Sequence, residues 1–376
     1  MNIKLKYAVC LTIFVLFVFS SCKNVTEKIV ENSSVSEKSV ITESDEIREF
    51  EIPESITLCG ETIDLTNPNN FEMFDREFTI SVWDRAQVFM WLKRTGKFFP
   101  YFERRLKEAG LPDDLKYLAV AESSLHTHIK SKAGALGIWQ FMKATAKRYN
   151  LKVKRGIVDE RLCYERSTDA ALHYLSYLKE KFDTWQLVMA AYNCGENKLN
   201  EAVKNQGEGY VGLHLPRETQ RYVYRIAVIK YLLENPVKFG YIIEPERMYK
   251  PVHNDYIEVD IRERYYISDL VEIAGVTYKD FIKLNPQILS PILPKGKYYL
   301  KVPSGDSENF LLALATLKDQ SNNKTNMKAV ELYTVQPGDA LYNISWETGI
   351  SVSMLKKLNR LKSSRIYPGQ KLVLKR

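Results

Sequence analysis

The chain has 376 residues, room for two or three domains, and its 45% hydrophobic and 27% charged composition is that of a folded protein rather than a disordered one. No run approaches the ~20 apolar residues of a membrane-spanning helix, which excludes a polytopic membrane protein. The net charge is +8, and residues 328–376 hold nine basic against three acidic side chains. Such an end suits nucleic acid, acidic lipid or an anionic polymer, and composition does not choose among them. The 23 Tyr suit carbohydrate stacking and equally well an ordinary core.

The first 22 residues read as an address. Lys4 and Lys6 precede an apolar run over 8–19, and Phe19-Ser20-Ser21-Cys22 follows. A short basic region, a short apolar core and small residues before a cut form a secretory signal. The small residues before Cys22 resemble a bacterial lipobox, with Phe19 where Leu is usual. That resemblance implies a lipidated Cys22 as the first mature residue and a membrane anchor for the chain. Residues 23–50 are mostly Ser, Glu, Lys and Val, a solvated tether spanning about 30 Å root-mean-square as a flexible coil. Residues 51–82 form an N-terminal extension. Once Cys10 and Cys22 are set aside, Cys59, Cys163 and Cys194 remain, enough for at most one disulfide and matching no zinc spacing.

From 83 to 235 the pattern is helix after helix. Apolar spacing predicts helices over 83–93 and 98–109, with Gly110 as a stop. Pro112, Asp113 and Asp114 open the next helix, as suits a positive N-terminal dipole. Leu115, Leu118 and Glu122 share one face of it, so Glu122 points where the apolar residues point. No Asp or Glu occurs from Ser123 to Val158, against eight Lys or Arg. Burial would raise the Glu122 pKa and nearby Lys would lower it; if burial wins, Glu122 is a general acid, and otherwise it caps the helix or pairs with a lysine.

Four blocks follow one another: Glu122-Ser123; Ser131-Lys132-Ala133-Gly134-Ala135-Leu136-Gly137-Ile138-Trp139-Gln140-Phe141-Met142; Ala191-Tyr192-Asn193-Cys194-Gly195; and Glu218-Thr219-Gln220-Arg221-Tyr222-Val223. Gln140 and Met142 open a helix reaching about Tyr149. In this order the blocks resemble the goose-lysozyme-like catalytic domain of lytic transglycosylases, in particular the membrane-bound type D lipoproteins, over about 83–240. The resemblance implies a mainly α lysozyme-like domain. In it Glu122 is the catalytic acid and base, and Ser131, Gln140 and Met142 line the sugar sites. Tyr192 and Asn193 would orient Glu122 and the N-acetyl group, while Glu218 and Tyr222 close the cleft. Trp139 stands where many relatives have Met, and Cys194 in a slot that is often Ala. No metal and no cofactor is implied. The partner implied is the peptidoglycan glycan strand, cleaved at the β-1,4 bond between N-acetylmuramic acid and N-acetylglucosamine.

A repeat follows. Gly275 to Asn285 aligns with Gly349 to Asn359, each preceded by a Leu-x-x-Ile turn and followed by a Pro/Gly turn and a short strand. The two copies are small α+β (βααβ) units. The second, 331–375, with its Pro337-Gly338-Asp339 opening, resembles a LysM module, which implies binding to N-acetylglucosamine chains. The first, 256–303, is a degenerate copy without that opening, either a sugar binder or a spacer. Residues 304–330 read as a polar linker around a short apolar patch at 310–317. The expectation is thus a multidomain chain, secreted and lipid-anchored in the bacterial envelope at the outer membrane facing the periplasm, where it meets no nucleic acid. A hydrolytic muramidase on the same fold and a non-catalytic wall-binding lipoprotein are the alternatives.

Overall fold

Residues 49–207, 209–317 and 331–375 are described by the structure, a computed structural model. Cys22, the 1–22 leader, nearly all of the 23–50 tether and positions 318–330 of the expected linker lie outside the described residues. A two-stranded antiparallel hairpin, β1 (Ser55–Leu58) and β2 (Glu61–Asp64), leads into helix α1 (Pro68–Trp83). Asn67 caps α1 by accepting from the amides of Asn69 and Asn70, and Pro68 takes the first helical position, where no donor is needed.

Helix α2 (Arg85–Glu108) is one element of 24 residues where two shorter helices were predicted. Gly96, in the gap between the two predicted helices, is a contact point. A Cβ there would meet the Tyr249 carbonyl oxygen at 2.9 Å, and the Tyr249 amide donates to the Lys93 carbonyl at 2.8 Å. A turn at Asp113–Leu115 then leads into α3 (Lys116–Ser123), whose Leu118 and Ala119 have no exposed surface. Next come α4 (Lys143–Arg148), the two-residue strands β3 (Val153–Lys154) and β4 (Val158–Asp159), and helices α5 (Tyr164–Lys181), α6 (Trp185–Cys194), α7 (Glu196–Gln206) and α8 (Arg217–Glu234).

Helix α8 is the axis of this helical part. It packs against α1, α3 and α6, and its Ile226, Ala227, Val228 and Leu232 are fully enclosed. Each such aliphatic side chain contributes about 1.5–3 kcal/mol when removed from water. The extension at 51–82 is integral to this packing. Phe74 and Phe78 of α1 meet Tyr231 of α8, and the Tyr224 hydroxyl donates to Asn70 Oδ1 at 2.7 Å. Cys59, Cys163 and Cys194 are free thiols.

The first repeat copy pairs β5 (Asn254–Ile261) with β8 (Gly296–Pro303) in an antiparallel register from Asn254↔Pro303 to Ile261↔Gly296. Between them lie β6 (Tyr265–Tyr266), α9 (Ile267–Ile273), α10 (Tyr278–Leu284) and β7 (Ile292–Leu293). The expected linker begins instead with a helix, α11 (Ser307–Thr316), because the apolar patch at 310–317 is amphipathic and Phe310 fills this copy's core. The second copy has β9 (Glu331–Thr334), α12 (Leu341–Thr348), α13 (Val352–Asn359) and β10 (Lys371–Lys375) around Leu341, Ile344, Leu355 and Leu372.

The repeated Leu-Asn pair has a physical role. Asn285 accepts from the Lys301 amide at 2.7 Å and donates to the Lys301 and Phe281 carbonyls. Asn359 does the same with the Val373 amide, at 2.6 Å, and the Val373 and Leu355 carbonyls. One amide side chain thus clips the second helix to the last strand in each copy.

The first copy is docked on the helical domain through backbone. The Asp159 amide donates to the Gln287 carbonyl at 2.8 Å, the Leu289 amide donates to the Ile157 carbonyl at 2.9 Å, and Val158 enters the copy's core. Lys301 and Glu165 form an ion pair at 3.0 Å across the junction, their side chains 5% and 9% exposed. Removing one partner of such a pair leaves an uncompensated buried charge. Lys301→Met is therefore expected to destabilise this part of the chain by about 3–5 kcal/mol. Glu165→Leu combined with Lys301→Met should recover most of that loss in urea unfolding; an equally unstable double variant would show that the ion pair is not what matters at the junction.

Candidate active site

Glu122 sits in the last turn of α3, which ends sharply because Ser124 and Leu125 both take left-handed backbone, φ 53° and 61°. Two side chains of α2 hold this costly turn: Arg94 Nη1 donates to the Ser124 carbonyl at 3.0 Å, and Gln87 Nε2 donates to the Ser124 hydroxyl. Ser123 turns inward. Its hydroxyl bonds to the Ala119 carbonyl at 3.0 Å and, across the site, to the Ile138 carbonyl at 2.8 Å. The loop carrying the second sequence block is thereby fixed to the helix carrying Glu122.

Glu122 is half-buried, and the loss of hydration around its carboxyl pushes its pKa up to about 7. A hydrogen bond donated by the Tyr222 hydroxyl opposes the rise, Glu218 adds to it, and Arg225 opposes it. Burial and the nearby charge of Glu122 raise the Tyr222 phenol well above its usual range, so it remains a neutral donor. Tyr192 is raised in the same way, and the Glu122 charge contributes there too.

The remaining expected site residues divide into three groups. Ser131 and Gln140 hold the loop's own shape. Ser131 Oγ accepts from the Ala135 amide at 3.0 Å, and Gln140 Nε2 donates to the Gly137 carbonyl at 2.7 Å and to the Ile129 carbonyl at 3.1 Å. Gln140 itself has φ 48°, and Gly137 passes so close to Arg161 that a Cβ would lie 1.9 Å from its carbonyl oxygen. Met142 is the N-cap of α4 and 46% exposed, so α4 starts after Met142 rather than at Gln140. Tyr192 and Asn193 brace the wall: the Tyr192 hydroxyl donates to the Trp139 carbonyl at 2.8 Å, and Asn193 Oδ1 accepts from the Thr219 hydroxyl at 2.8 Å. The Tyr222 hydroxyl donates to Glu122, while Tyr192 lies near enough to feel the Glu122 charge. Glu218 stands exposed in the first turn of α8.

Sequence reasoning missed three contributors. Arg225 follows Tyr222 by three residues on α8, and helical spacing could have drawn attention to it. Glu77 of α1 binds Arg225 Nε at 3.0 Å and Arg221 Nη1 at 3.6 Å, a pairing about 150 residues apart with no local signal. Arg161 donates to the Gly134 and Phe141 carbonyls at 3.1 and 2.9 Å, cinching the loop from below. Asp113 and Asp114 are committed elsewhere, to Lys116 at 2.5 Å and Lys230 at 2.9 Å.

A transglycosylase SLT domain model matches residues 100–210, and a LysM domain model matches 333–375. The chain carries an SLT transglycosylase domain followed by a C-terminal LysM domain. The SLT match ends before α8, the helix that brings Tyr222 to Glu122. The chain is 27% identical over 293 residues to the membrane-bound lytic murein transglycosylase D of Escherichia coli K12, covering 75% of this chain and 64% of that relative's length. It is 46% identical over 88 residues to the peptidoglycan transglycosylase gp16 of phage T7, covering 23% of this chain and 7% of that protein. The 70 kDa soluble lytic transglycosylase of Escherichia coli aligns at 20% identity and TM-score 0.34, over 48% of this chain and 32% of that one. Among the described residues no helix is long and apolar enough to cross a membrane.

The raised Glu122 pKa has a consequence for stability. Between the ordinary value of 4.5 and about 7 the folded SLT domain keeps a proton that the unfolded chain releases, so folding weakens as pH rises through that window. Gln at this position carries no such penalty. Glu122→Gln is expected to be more stable than the native chain at about pH 8, by about 2–3 kcal/mol, with the difference gone near pH 4. Denaturant titrations at both pH values check this, and equal stability at the higher pH would contradict the raised pKa.

Proposed function

We propose that this chain is a lytic transglycosylase of peptidoglycan, anchored at a membrane by a lipid on Cys22 and held to the wall by its LysM domain. The observation that carries the reading is Glu122: in an SLT domain, a carboxyl raised to about 7 by loss of hydration and supported by a neutral Tyr222 donor. A group poised near neutrality can give a proton and take one back in the same turnover.

In the proposed reaction Glu122 protonates the β-1,4 glycosidic oxygen between N-acetylmuramic acid and N-acetylglucosamine, and the C1–O bond breaks. The ionised Glu122 then takes the proton from the muramyl 6-hydroxyl, whose oxygen bonds to C1. The products are a free 4-hydroxyl and a 1,6-anhydro end, and Glu122 is protonated again. The nucleophile is part of the substrate, so the step gains proximity without a bound water. Ordinary glycosidases need a second carboxylate for attack or for activating water. Here the carboxylate whose charge reaches Glu122 is the exposed Glu218, which serves as the cleft's rim. Ser131, Gln140 and Met142 line the sugar path, and Tyr192 and Asn193 hold its far wall.

Digestion of purified peptidoglycan is expected to release 1,6-anhydro-muramyl products, one water lighter than hydrolytic ones. Glu122→Gln should lower turnover by about 10²–10⁴, and native activity should fall as pH rises through about 7, because the first step needs the protonated acid. Mass spectrometry decides: reducing-end muramic acid as the main product would replace this reading with a muramidase, and undiminished turnover in the variant would remove Glu122 from its role.

The lipid anchor rests on the short apolar run and the small residues before Cys22. In this reading the anchored enzyme works in the bacterial envelope, at the outer membrane facing the periplasm. Cys22→Ala should move the protein from the membrane to the soluble fraction or leave its leader uncut. A native protein that fractionates as soluble would end the anchor proposal.

A further inference from the structure

The loop facing Glu122 is held from beneath by a guanidinium that the reaction above does not use. Two nitrogens of Arg161 grip the Asp159 carboxylate, Nε at 2.9 Å and Nη2 at 2.7 Å. The third, Nη1, donates to the Gly134 carbonyl at 3.1 Å and to the Phe141 carbonyl at 2.9 Å. Those carbonyls belong to the two arms of the loop between Ser131 and Met142, which close on each other where the Leu136 amide donates to Phe141 at 3.1 Å. One planar fork therefore fixes both arms and the carboxylate together, a geometry that the point charge of a lysine does not reproduce.

Asp159 is placed in turn by the first repeat copy. Its amide donates to the Gln287 carbonyl at 2.8 Å, and the Leu289 amide donates to the Ile157 carbonyl at 2.9 Å. Between them Val158 pairs with Ile288 and enters the core of the copy. Successive side chains of a strand point to opposite faces. With Val158 drawn into the copy, Asp159 faces back to the guanidinium, and a slip of one residue would turn the carboxylate away. The Arg161 and Asp159 side chains are only 7% and 10% exposed, so the contact is nearly dry. An unbroken run of short contacts thus leads from Gln287 through Asp159 and Arg161 to the loop that carries Ser131, Gln140 and Met142.

We propose that Arg161 is a positioning residue for the loop lining the sugar path, and that the docked first copy sets it through Asp159, which makes that copy part of the working enzyme. The proposal rests on the reading of this chain as a peptidoglycan transglycosylase. Glu122 is tied to the same loop separately, through the Ser123 bond to the Ile138 carbonyl. Loosening the fork disturbs where the loop meets the strand and leaves the acid in place. The loss then falls on strand binding, hence on KM, and spares kcat.

Two measurements on the full chain test it. Hydrogen exchange reads the loop without any reaction. Leu289→Pro removes the amide given to Ile157, at a side chain that is 38% exposed. Amides of 131–142 should then exchange about tenfold faster, while those of α8 keep native rates. Val158→Ala, which shortens the plug in the copy's core, should do the same and covers the case in which the proline prevents folding. Native exchange in the loop, or equal acceleration in α8, would overturn the proposal. The second measurement is kinetics on glycan strands. Arg161→Lys keeps a charge for Asp159 but not the fork, so KM should rise about tenfold, while kcat and the midpoint of the pH profile stay native. Leu289→Pro should raise KM likewise, and the double variant should be no worse than Arg161→Lys alone. Multiplied effects, or a fall in kcat with a moved midpoint, would overturn the coupling through Arg161. A native chain inert on glycan strands would retire the reaction, and the exchange rates would still decide whether the copy sets the loop.

Discussion

The site of the helical domain depends on one half-buried carboxyl whose hydration the surrounding packing reduces. Glu122 rides on the apolar face of α3, so the packing that buries Leu118 and Ala119 also dehydrates the acid. A group in that position lowers stability near neutral pH, and the surrounding contacts offset the cost. Arg94 and Gln87 hold the left-handed turn after it, Ser123 fixes the facing loop, and Tyr222 supplies a neutral hydrogen bond to the carboxyl. The positive charge nearest on α8, Arg225, is drawn toward Glu77 of α1 at 3.0 Å, which limits its pull on Glu122. Helix α1, which precedes the recognisable helices, therefore belongs to the electrostatics of the site.

A second constraint joins that domain to the first repeat copy. Backbone hydrogen bonds through Ile157 and Asp159, the buried Glu165–Lys301 pair, and Arg166 and Lys152 over the Tyr299 and Tyr298 rings make the junction polar inside and aromatic at its edge. The helix–strand loop of this copy, through Gln287, Ile288 and Leu289, supplies the backbone contacts, and β8 supplies the side chains. The C-terminal LysM domain in turn meets the same copy. Trp346 packs edge-on to Tyr278 with centroids 6.0 Å apart, and Gly349 lies against Tyr266 and Pro291. The first copy thus has contact surfaces toward both the SLT and LysM domains.

Several features of the chain were legible in the residues taken in order. The i, i+3, i+7 spacing of Leu115, Leu118 and Glu122 put the acid on an apolar face, and the acid-free stretch after it marked that carboxylate as unusual. The four blocks pointed to the SLT domain, and the Gly-to-Asn repeat pointed to two copies of one unit. These signals are local: helical and repeat periodicities operate within a few turns of chain, where neighbours in sequence are neighbours in space.

What the sequence could not determine depends on distant segments meeting. Helices 83–93 and 98–109 read as two because nothing nearby announces that Tyr249 packs on Gly96 between them. Apolar residues at 310–317 read as a patch in a linker because the core that takes Phe310 is built by strands 254–303. Tyr192 and Tyr222 are equivalent by sequence, both tyrosines in family-like blocks, and only the packing of α8 against α3 decided that Tyr222 bonds to Glu122 while Tyr192 turns to the Trp139 carbonyl. Whether Glu122 was an acid or a lysine's partner rested on the same question. Its eight basic neighbours in sequence suggested a lowered pKa, yet the fold sends those cations elsewhere and leaves desolvation as the larger effect.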